Sequence, residues 1–287
     1  APGRAIDSIP LRILMTTIAA PQKPTNNQCI SDKIYWHGYI PFYEKYFSHR
    51  NFSNIAEFGV YKGNSIRWLL ERFPQSSIYG ADILPLQSEW PVDPRFRFTQ
   101  LNQESREEIR SFLGQCEFDL IIEDGSHQPQ HQINCLIEGL DALRSNGISI
   151  LEDIHTSRPD HDWWVSDIFK PHWWKLKKMR QYRSIKKKLL QGNALHALLG
   201  IDHCKRIGVD VNEVVASKIA HNSLLTTTEI LKLAFLINSI HLYRRTNLPD
   251  YCSKCGSNMY DFSKLKCICG QPIFLDADSM AFVIIKN

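Results

Sequence analysis

No run of apolar residues in this 287-residue chain approaches the roughly 18–20 that a membrane-spanning helix needs, so no span is expected. The chain also has no Gly-x-Gly-x-x-Gly and no Gly-Lys-Ser/Thr. Those absences remove the tight pyrophosphate cradle of dinucleotide sites and the P-loop of nucleotide triphosphatases. Residues 1–14 carry a short apolar patch without the arrangement of a signal peptide, and Met15 reads as a candidate internal start. The eight cysteines do not form a disulfide framework: Cys252, Cys255, Cys267 and Cys269 crowd together, while Cys29, Cys116, Cys135 and Cys204 are scattered. That distribution fits a reducing, cytoplasmic compartment with one metal-bound cluster.

What is present is ordinary for a soluble globular protein, with 43% hydrophobic and 22% charged residues. The length is enough for one large core with an insertion. The net charge of +4 is mild, but Lys175–Lys188 holds a dense basic run without an acid. The organisation reads as an N-terminal extension (1–30), a core (31–154), a helical substrate cap (155–235) and a terminal β-hairpin (236–287). A cysteine module at 250–272 interrupts that hairpin. Strands are expected at 54–59, 77–82, 96–99, 118–123, 147–151, 236–243 and 280–285. Helices are expected from 41 and at 66–73, 104–113, 128–143, 194–199 and 211–219. Repeated β-α units, five by this reading, predict a doubly wound, mostly parallel α/β sheet of Rossmann-like type, with the last two strands as an antiparallel hairpin.

The first unit runs strand, glycine loop, helix, strand, acid. Its loop is Glu57-x-Gly59-x-Tyr61-x-Gly63-x-Ser65, and Asp82 ends the next strand. In a nucleoside-binding unit the glycines let backbone approach the ligand and the acid accepts hydrogen bonds from ribose hydroxyls. The wide glycine spacing and the acid at the strand end favour S-adenosylmethionine, whose amino-acid end carries an ammonium group. Asn102 and Gln103, at the end of the third strand, are placed where a polar pair would face adenine. The aromatic-rich segment 31–47 reads either as a helix on the sheet edge or as a lid bringing Asp32, Lys33, His37 or Tyr39 over the ligand.

Two apolar strands, ending in Glu123-Asp124 and Glu152-Asp153, flank a helical segment. Parallel strands joined by a crossover helix present their C-terminal ends on one edge, where ligands bind. Asp124, Glu152 and Asp153 are therefore candidate ligands for Mg(II) or Mn(II), since hard cations prefer carboxylate oxygens. His127, with a near-neutral pKa, is the candidate general base, and His131 the alternative. A hydroxyl deprotonated there would attack the sulfonium methyl in line.

Cys252-x-x-Cys255-Gly and Cys267-x-Cys269-Gly are two thiolate knuckles with no histidine competing nearby. Four thiolates suit tetrahedral Zn(II), so a structural zinc ribbon is expected, with an iron–sulfur site or free thiols as alternatives. The ribbon carries only Lys254, Lys264 and Lys266 against Asp261, which gives little support to nucleic-acid binding.

Residues 31–153 resemble the metal-dependent sugar O-methyltransferases of macrolide and aromatic-polyketide biosynthesis, the mycinamicin and rhamnosyl-tetracenomycin type. They resemble more distantly the macrocin O-methyltransferases and the cephalosporin-hydroxylase-like group. The carrying motifs are Asp32-Lys33, His37-Gly38-Tyr39, Glu57 through Ser65, Tyr79 through Asp82, Asp124-Gly125-Ser126-His127 and Glu152-Asp153. The resemblance implies a class I methyltransferase fold, magnesium held by Asp124, Glu152 and Asp153, and His127 as base. It implies that Glu57, Gly59 and Asp82 contact the methionine and ribose parts of the cofactor, with Asn102 and Gln103 near adenine. Tyr39, Tyr61, Gly63 and Ser65 are counted with the cofactor contacts.

The expected function is thus a Mg-dependent, S-adenosylmethionine-dependent O-methyltransferase. Its acceptor would be a hydroxyl of a sugar-bearing or polyhydroxylated natural product, and the enzyme a homo-oligomer. One alternative is methyl transfer to a phosphate- or nucleotide-linked substrate, its anionic group held by Lys175–Lys188. A non-enzymatic alternative is a zinc-ribbon module contacting nucleic acid or a protein.

Overall fold

The computed structural model describes residues 31–158, 191–245, 252, 255, 257–271 and 279–287. The N-terminal extension, the basic run Lys175–Lys188 and the tryptophan pairs at 163–164 and 173–174 lie outside those residues. The chain begins with α1 (Asp32–Tyr35), α2 (Ile40–Phe47), β1 (Asn54–Phe58), α3 (Asn64–Arg72), β2 (Ser77–Asp82) and β3 (Phe96–Gln100). It continues with α4 (Arg106–Leu113), β4 (Phe118–Glu123), α5 (Pro129–Ala142), β5 (Leu143–Leu151) and a 3-10 turn (Ile154–Ser157). Then come α6 (Ala194–Arg206), α7 (Glu213–Ile219), α8 (Thr227–Leu236), β6 (Ile237–Arg244), β7 (Tyr260–Asp261), β8 (Lys266–Cys267) and β9 (Met280–Lys286).

Among the described residues, seven strands form one sheet in the order β3-β2-β1-β4-β5-β9-β6, and β7 pairs with β8 in a separate two-stranded sheet. The pairings among β1 to β5 are parallel, so the ends of β1, β2, β4 and β5 share one edge. β9 runs antiparallel to both β5 and β6, the expected hairpin. β1 and β4 are buried along nearly their whole length because both faces of the sheet are covered. On one face Phe58, Ile121, Ile133, Leu136, Leu198 and Leu233 interlock. On the other Tyr43, Phe47, Ile55, Leu69, Ile122 and Val283 do so. Each such fully buried side chain contributes roughly 1.5–3 kcal/mol. No helix among the described residues is long and apolar enough to cross a membrane.

Several boundaries differ from the sequence reading for physical reasons. A single turn, α1, precedes the expected helix, because Ser31 caps it by accepting from Lys33 N. α4 begins at Arg106 instead of 104, since Ser105 is its cap and accepts from Glu108 N. β5 starts at Leu143, which pairs with Phe118, so Asn146-Gly147 lies inside the strand with Asn146 at φ +61°. No helix lies between β2 and β3, so the expected five β-α repeats are incomplete. α8 was not expected at all, although Thr226 and Glu229 cap it reciprocally. Finally, α6, α7 and α8 contribute Leu198, Ala216 and Leu233 to the same core as α4 and α5. The described helices of 155–235 thus pack into the same core.

Candidate metal and cofactor site

At the carboxyl edge the ends of β1 and β4 touch. Gly59 sits at φ +93°, and a Cβ there would lie 2.0 Å from the carbonyl oxygen of Asp124. Only glycine accepts both that backbone and that approach. The loop it opens is held from the side: Val60 N and Tyr61 N each donate to Asp82 Oδ2 at 2.8 Å, and Leu84 N donates to Oδ1 at 2.9 Å. Asp82 thus fastens the loop after β1 to the end of β2.

Beside this loop opens a cavity of about 780 Å³. Gly59, Tyr61, Ser65, Asp82, Asn102, Gln103, Asp124, His127, Glu152 and Asp153 line it, with Ser31, Asp32, Lys33 and His37 from the α1 segment. Three expected cofactor contacts, Glu57, Gly63 and Tyr39, are not in the lining. Glu57 is fully buried beneath the loop, where Ser65 Oγ donates to it at 2.5 Å. Burial pushes its carboxyl up to about 7, with Lys33 pulling the other way. Gly63, at φ +72°, is the N-cap of α3 and packs on Trp90 and Pro91. Tyr39 is buried with its hydroxyl on Asp153 Oδ1, so it orients a candidate metal ligand.

The polar pair after β3 divides its work. Asn102 Oδ1 accepts from Glu104 N at 3.0 Å. Gln103 braces the turn after β4, donating to Glu123 Oε1 at 2.9 Å and accepting from Ser126 N at 3.0 Å. A Cβ on Gly125 would overlap that Gln103 side chain.

Asp124, His127 and Asp153 converge: each offers a ligand atom, and these atoms lie within 4.8 Å of one another. Both His127 (φ +56°) and Asp153 (φ +49°) hold left-handed backbone, an uncommon conformation that concentrates at functional sites. Thr156 Oγ1 ties the two turns by donating to His127 O at 2.9 Å and Asp153 O at 3.0 Å. His127 Nε2 lies 3.6 Å from Asp153 Oδ2, while its Nδ1 is buried without a hydrogen-bond partner. Burial alone would lower the His127 pKa, but Asp153, Asp124 and Glu123 outweigh it and raise it. Asp153 also faces His37 Nδ1 at 3.5 Å and His155 Nδ1 at 3.9 Å. Burial opposes its ionisation, yet the three imidazoles and Tyr39 hold it well below the usual carboxylate range.

Glu152 points elsewhere. Its Oε1 accepts from Lys33 Nζ at 2.6 Å, and the same ammonium donates to Asp124 Oδ2 at 2.6 Å and lies 3.4 Å from Glu57. Lys33 is 1% exposed. Burial would lower its pKa, but the three carboxylates raise it well above the ordinary value. The third expected ligand is therefore paired with a lysine, and its atoms do not join the converging group. His131, the alternative base, meets Ser126 Oγ at 2.7 Å, and burial lowers its pKa. Glu123 stays behind the cluster, its Oε1 on Gln103 and Gly125 N. The roles of Lys33, His37 and His155 around the acids were not legible from spacing; the Asp32-Lys33 and His37-Gly38-Tyr39 pairs were the available signal.

The four clustered cysteine sulfurs lie within 4.8 Å of one another, with Cys252–Cys269 at 3.8 Å and Cys255–Cys267 at 3.5 Å. Such a set fits a tetrahedral thiolate site. The two carboxylates, Asp124 and Asp153, fit a hard divalent cation, their oxygens supplied from adjacent strand ends with the His127 imidazole beside them. The cavity has the volume of a small-molecule site, of order 300–1,000 Å³. Asp82 and the apolar Ile83 and Leu84 in its wall suit the two halves of a nucleoside.

Residues 56–154 match the family model of a methyltransferase domain. The chain is similar to the 8-demethyl-8-(2-methoxy-alpha-L-rhamnosyl)-tetracenomycin-C 3'-O-methyltransferase of Streptomyces olivaceus, with 28% identity over 132 residues. That alignment covers 42% of this chain and 33% of the relative. It is also similar to the mycinamicin VI 2''-O-methyltransferase of Micromonospora griseorubida, 31% identical over 134 residues, 42% of this chain and 32% of the relative. The chain thus spans about a third of the length of the curated relatives it matches. Among solved structures, the MycE methyltransferase of the mycinamycin biosynthetic pathway, in complex with Mg and SAH, aligns with 18% identity and a TM-score of 0.49. It covers 87% of this chain and 49% of that one.

Proposed function

We propose that this protein is a divalent-metal-dependent O-methyltransferase that takes its methyl group from S-adenosylmethionine. The carrying observation is that Asp124, His127 and Asp153 converge on the wall of the cavity that the Gly59 loop and Asp82 also line. By their names, the two relatives are O-methyltransferases, one of a rhamnosyl-tetracenomycin and the other of mycinamicin VI. A sugar-bearing or polyhydroxylated natural product is accordingly the proposed acceptor class.

In this reading S-adenosylmethionine supplies an electrophilic methyl group, and Mg(II) or Mn(II) a charge that favours ionised oxygen beside it. Asp124 and Asp153 would hold the cation, with Glu152 joining if Lys33 releases it. His127 Nε2 is the group placed to take a hydroxyl proton. Its left-handed turn, fixed through Thr156, keeps the ring against the acids, so the base is positioned before substrate arrives. Tyr39 holds Asp153 in place. Asp82 keeps the loop closed over the nucleoside side, its carboxylate retaining lone pairs for ribose hydroxyls. The cysteine cluster is proposed to hold one structural Zn(II).

Calorimetric binding of S-adenosylhomocysteine tests the first half of this reading. Transfer of labelled methyl to a panel of glycosides, before and after a chelator that leaves zinc in place, tests the second. Binding with chelator-sensitive transfer is expected. No S-adenosylhomocysteine binding, or transfer indifferent to chelation, would overturn it.

A further inference from the structure

Lys33 is nearly inaccessible, yet its ammonium touches two acids proposed to hold a metal, and its third neighbour, Glu57, is buried as well. Carboxylates this deep are costly to bury without compensating charge. The lysine is also fixed in place. Its main-chain oxygen accepts from Tyr39 N at 2.8 Å. Three residues further on, Trp36 lies under the Arg245 guanidinium, and His37 Nδ1 meets Ser279 Oγ at 2.8 Å. The α1 turn is thereby pinned to the outer end of the β6–β9 hairpin, and the ammonium cannot swing away as a surface lysine would.

We infer that Lys33 is a positioning residue acting as a tethered counter-cation: it holds Asp124 and Glu152 in place without metal and competes with a divalent ion for them. The inference rests on the metal-site reading above. Its physical content is a sign. A positive charge hydrogen-bonded to two ligand carboxylates repels an incoming dication and must share or give up those carboxylates. Taking that charge away should tighten metal binding while loosening the metal-free protein. A lysine serving only as packing would do the reverse, because its loss would disorder the ligands and weaken the metal. At the effective dielectric of a protein site, repulsion between neighbouring charges amounts to several times thermal energy, so roughly tenfold or more in affinity is expected.

The test titrates Mn²⁺ into the full chain, pre-loaded with one equivalent of Zn²⁺, and follows the electron paramagnetic resonance signal of free Mn²⁺. Wild type is compared with Lys33→Met and with Lys33→Gln, which keeps length and a hydrogen-bond donor. Both variants are expected to bind Mn²⁺ about tenfold more tightly or better, to melt lower than wild type without Mn²⁺, and to recover when it is added. Unchanged or weaker binding by a folded variant overturns the role of Lys33 while leaving the metal site standing. A variant unfolded without Mn²⁺ that Mn²⁺ fails to refold overturns it equally. If wild type binds no Mn²⁺, the metal-site reading itself fails, and this inference falls with it.

Discussion

The hydroxyl of Tyr39 donates to Asp153 Oδ1 at 2.6 Å, joining two residues 114 positions apart. The same oxygen lies 3.2 Å from the main-chain carbonyl of Met280, so three separate segments meet at one phenol. Tyr39→Phe removes only that oxygen. A lost hydrogen bond to a buried charge costs about 1.5–3 kcal/mol. The variant is expected to lose stability by that order and to bind Mg²⁺ more weakly, as denaturant titration and calorimetry would show. Metal affinity equal to wild type would mean that Tyr39 does not orient Asp153.

Replacing His127 by alanine removes the proposed base and leaves the nucleoside side of the cavity intact. Loss of a general base typically costs 10²–10⁴-fold in rate. Turnover should fall by about that factor with S-adenosylhomocysteine affinity little changed. Asp124→Ala should also abolish turnover but in addition weaken metal binding. Full activity in either variant would contradict the assignment.

The acid cluster gives the metal-free protein an unusual pH dependence. Glu57 is pushed up to about 7 by burial, against Lys33, from an unfolded value near 4.3. A folded pKa above the unfolded one means that folding takes up a proton. Stability from Glu57 is thus complete below roughly pH 4.3 and lost as pH rises through about 7. His127, also raised, acts with the same sign at higher pH, above roughly 6.5. Urea denaturation without metal should give a value lower at pH 8.5 than at pH 5.5, on the order of 1–3 kcal/mol from these groups. Saturating Mg²⁺ should shrink or reverse the difference, because its ligands must be deprotonated. Greater metal-free stability at the higher pH would refute this account.

Glu138 on α5 titrates in the opposite sense. Burial would raise its pKa, but Arg110 and Arg106 together hold it below the ordinary range, with contacts of 2.7 Å from each. Its contribution is present above the unfolded carboxylate value and lost as pH falls through the lower folded one. Both arginines are partly solvated, so Glu138→Gln should cost only about 1–2 kcal/mol at pH 7. That penalty should vanish toward pH 3. A penalty independent of pH would assign the loss to packing.

Gly59→Ala tests the contact between strand ends. The added Cβ would meet the Asp124 carbonyl at 2.0 Å on a backbone of φ +93°, so β1 or β4 must move. A loss of at least about 2 kcal/mol is expected, along with weakened metal binding, since Asp124 shifts with its carbonyl. Thermal melting near the wild-type value would refute the close approach.

Much of the sheet was legible because its signals are local. β2 runs over the expected residues, and the acids ending β4 and β5 sit where two parallel strands bring them together. What was missed depends on distance. Nothing near Lys33 announces that its ammonium will lie between residues 91 and 119 positions away. Glu152, read as a ligand from its place beside Asp153, faces the lysine, while Asp153 turns aside on a left-handed backbone of φ +49°. Glu57, counted with the cofactor contacts of the glycine loop, belongs to β1 and its side chain is buried inside the protein. α8 is a different kind of miss: its Thr226–Glu229 capping pair is readable in the sequence, but residues 227–235 received no helix of their own within the helical region 155–235.

β9 lies between β5 and β6 but is encoded after both. As the chain leaves the ribosome, β5 emerges with one flank open and β6 without its neighbour. Neither is completed until the cysteine-rich segment between β6 and β9 has been made. Tyr39 waits longest, since its contact with the Met280 carbonyl requires that final strand. On the proposed reading that the cysteine cluster holds Zn(II), zinc supply during synthesis is expected to influence how soon the sheet closes and how long its open flank is exposed to other chains.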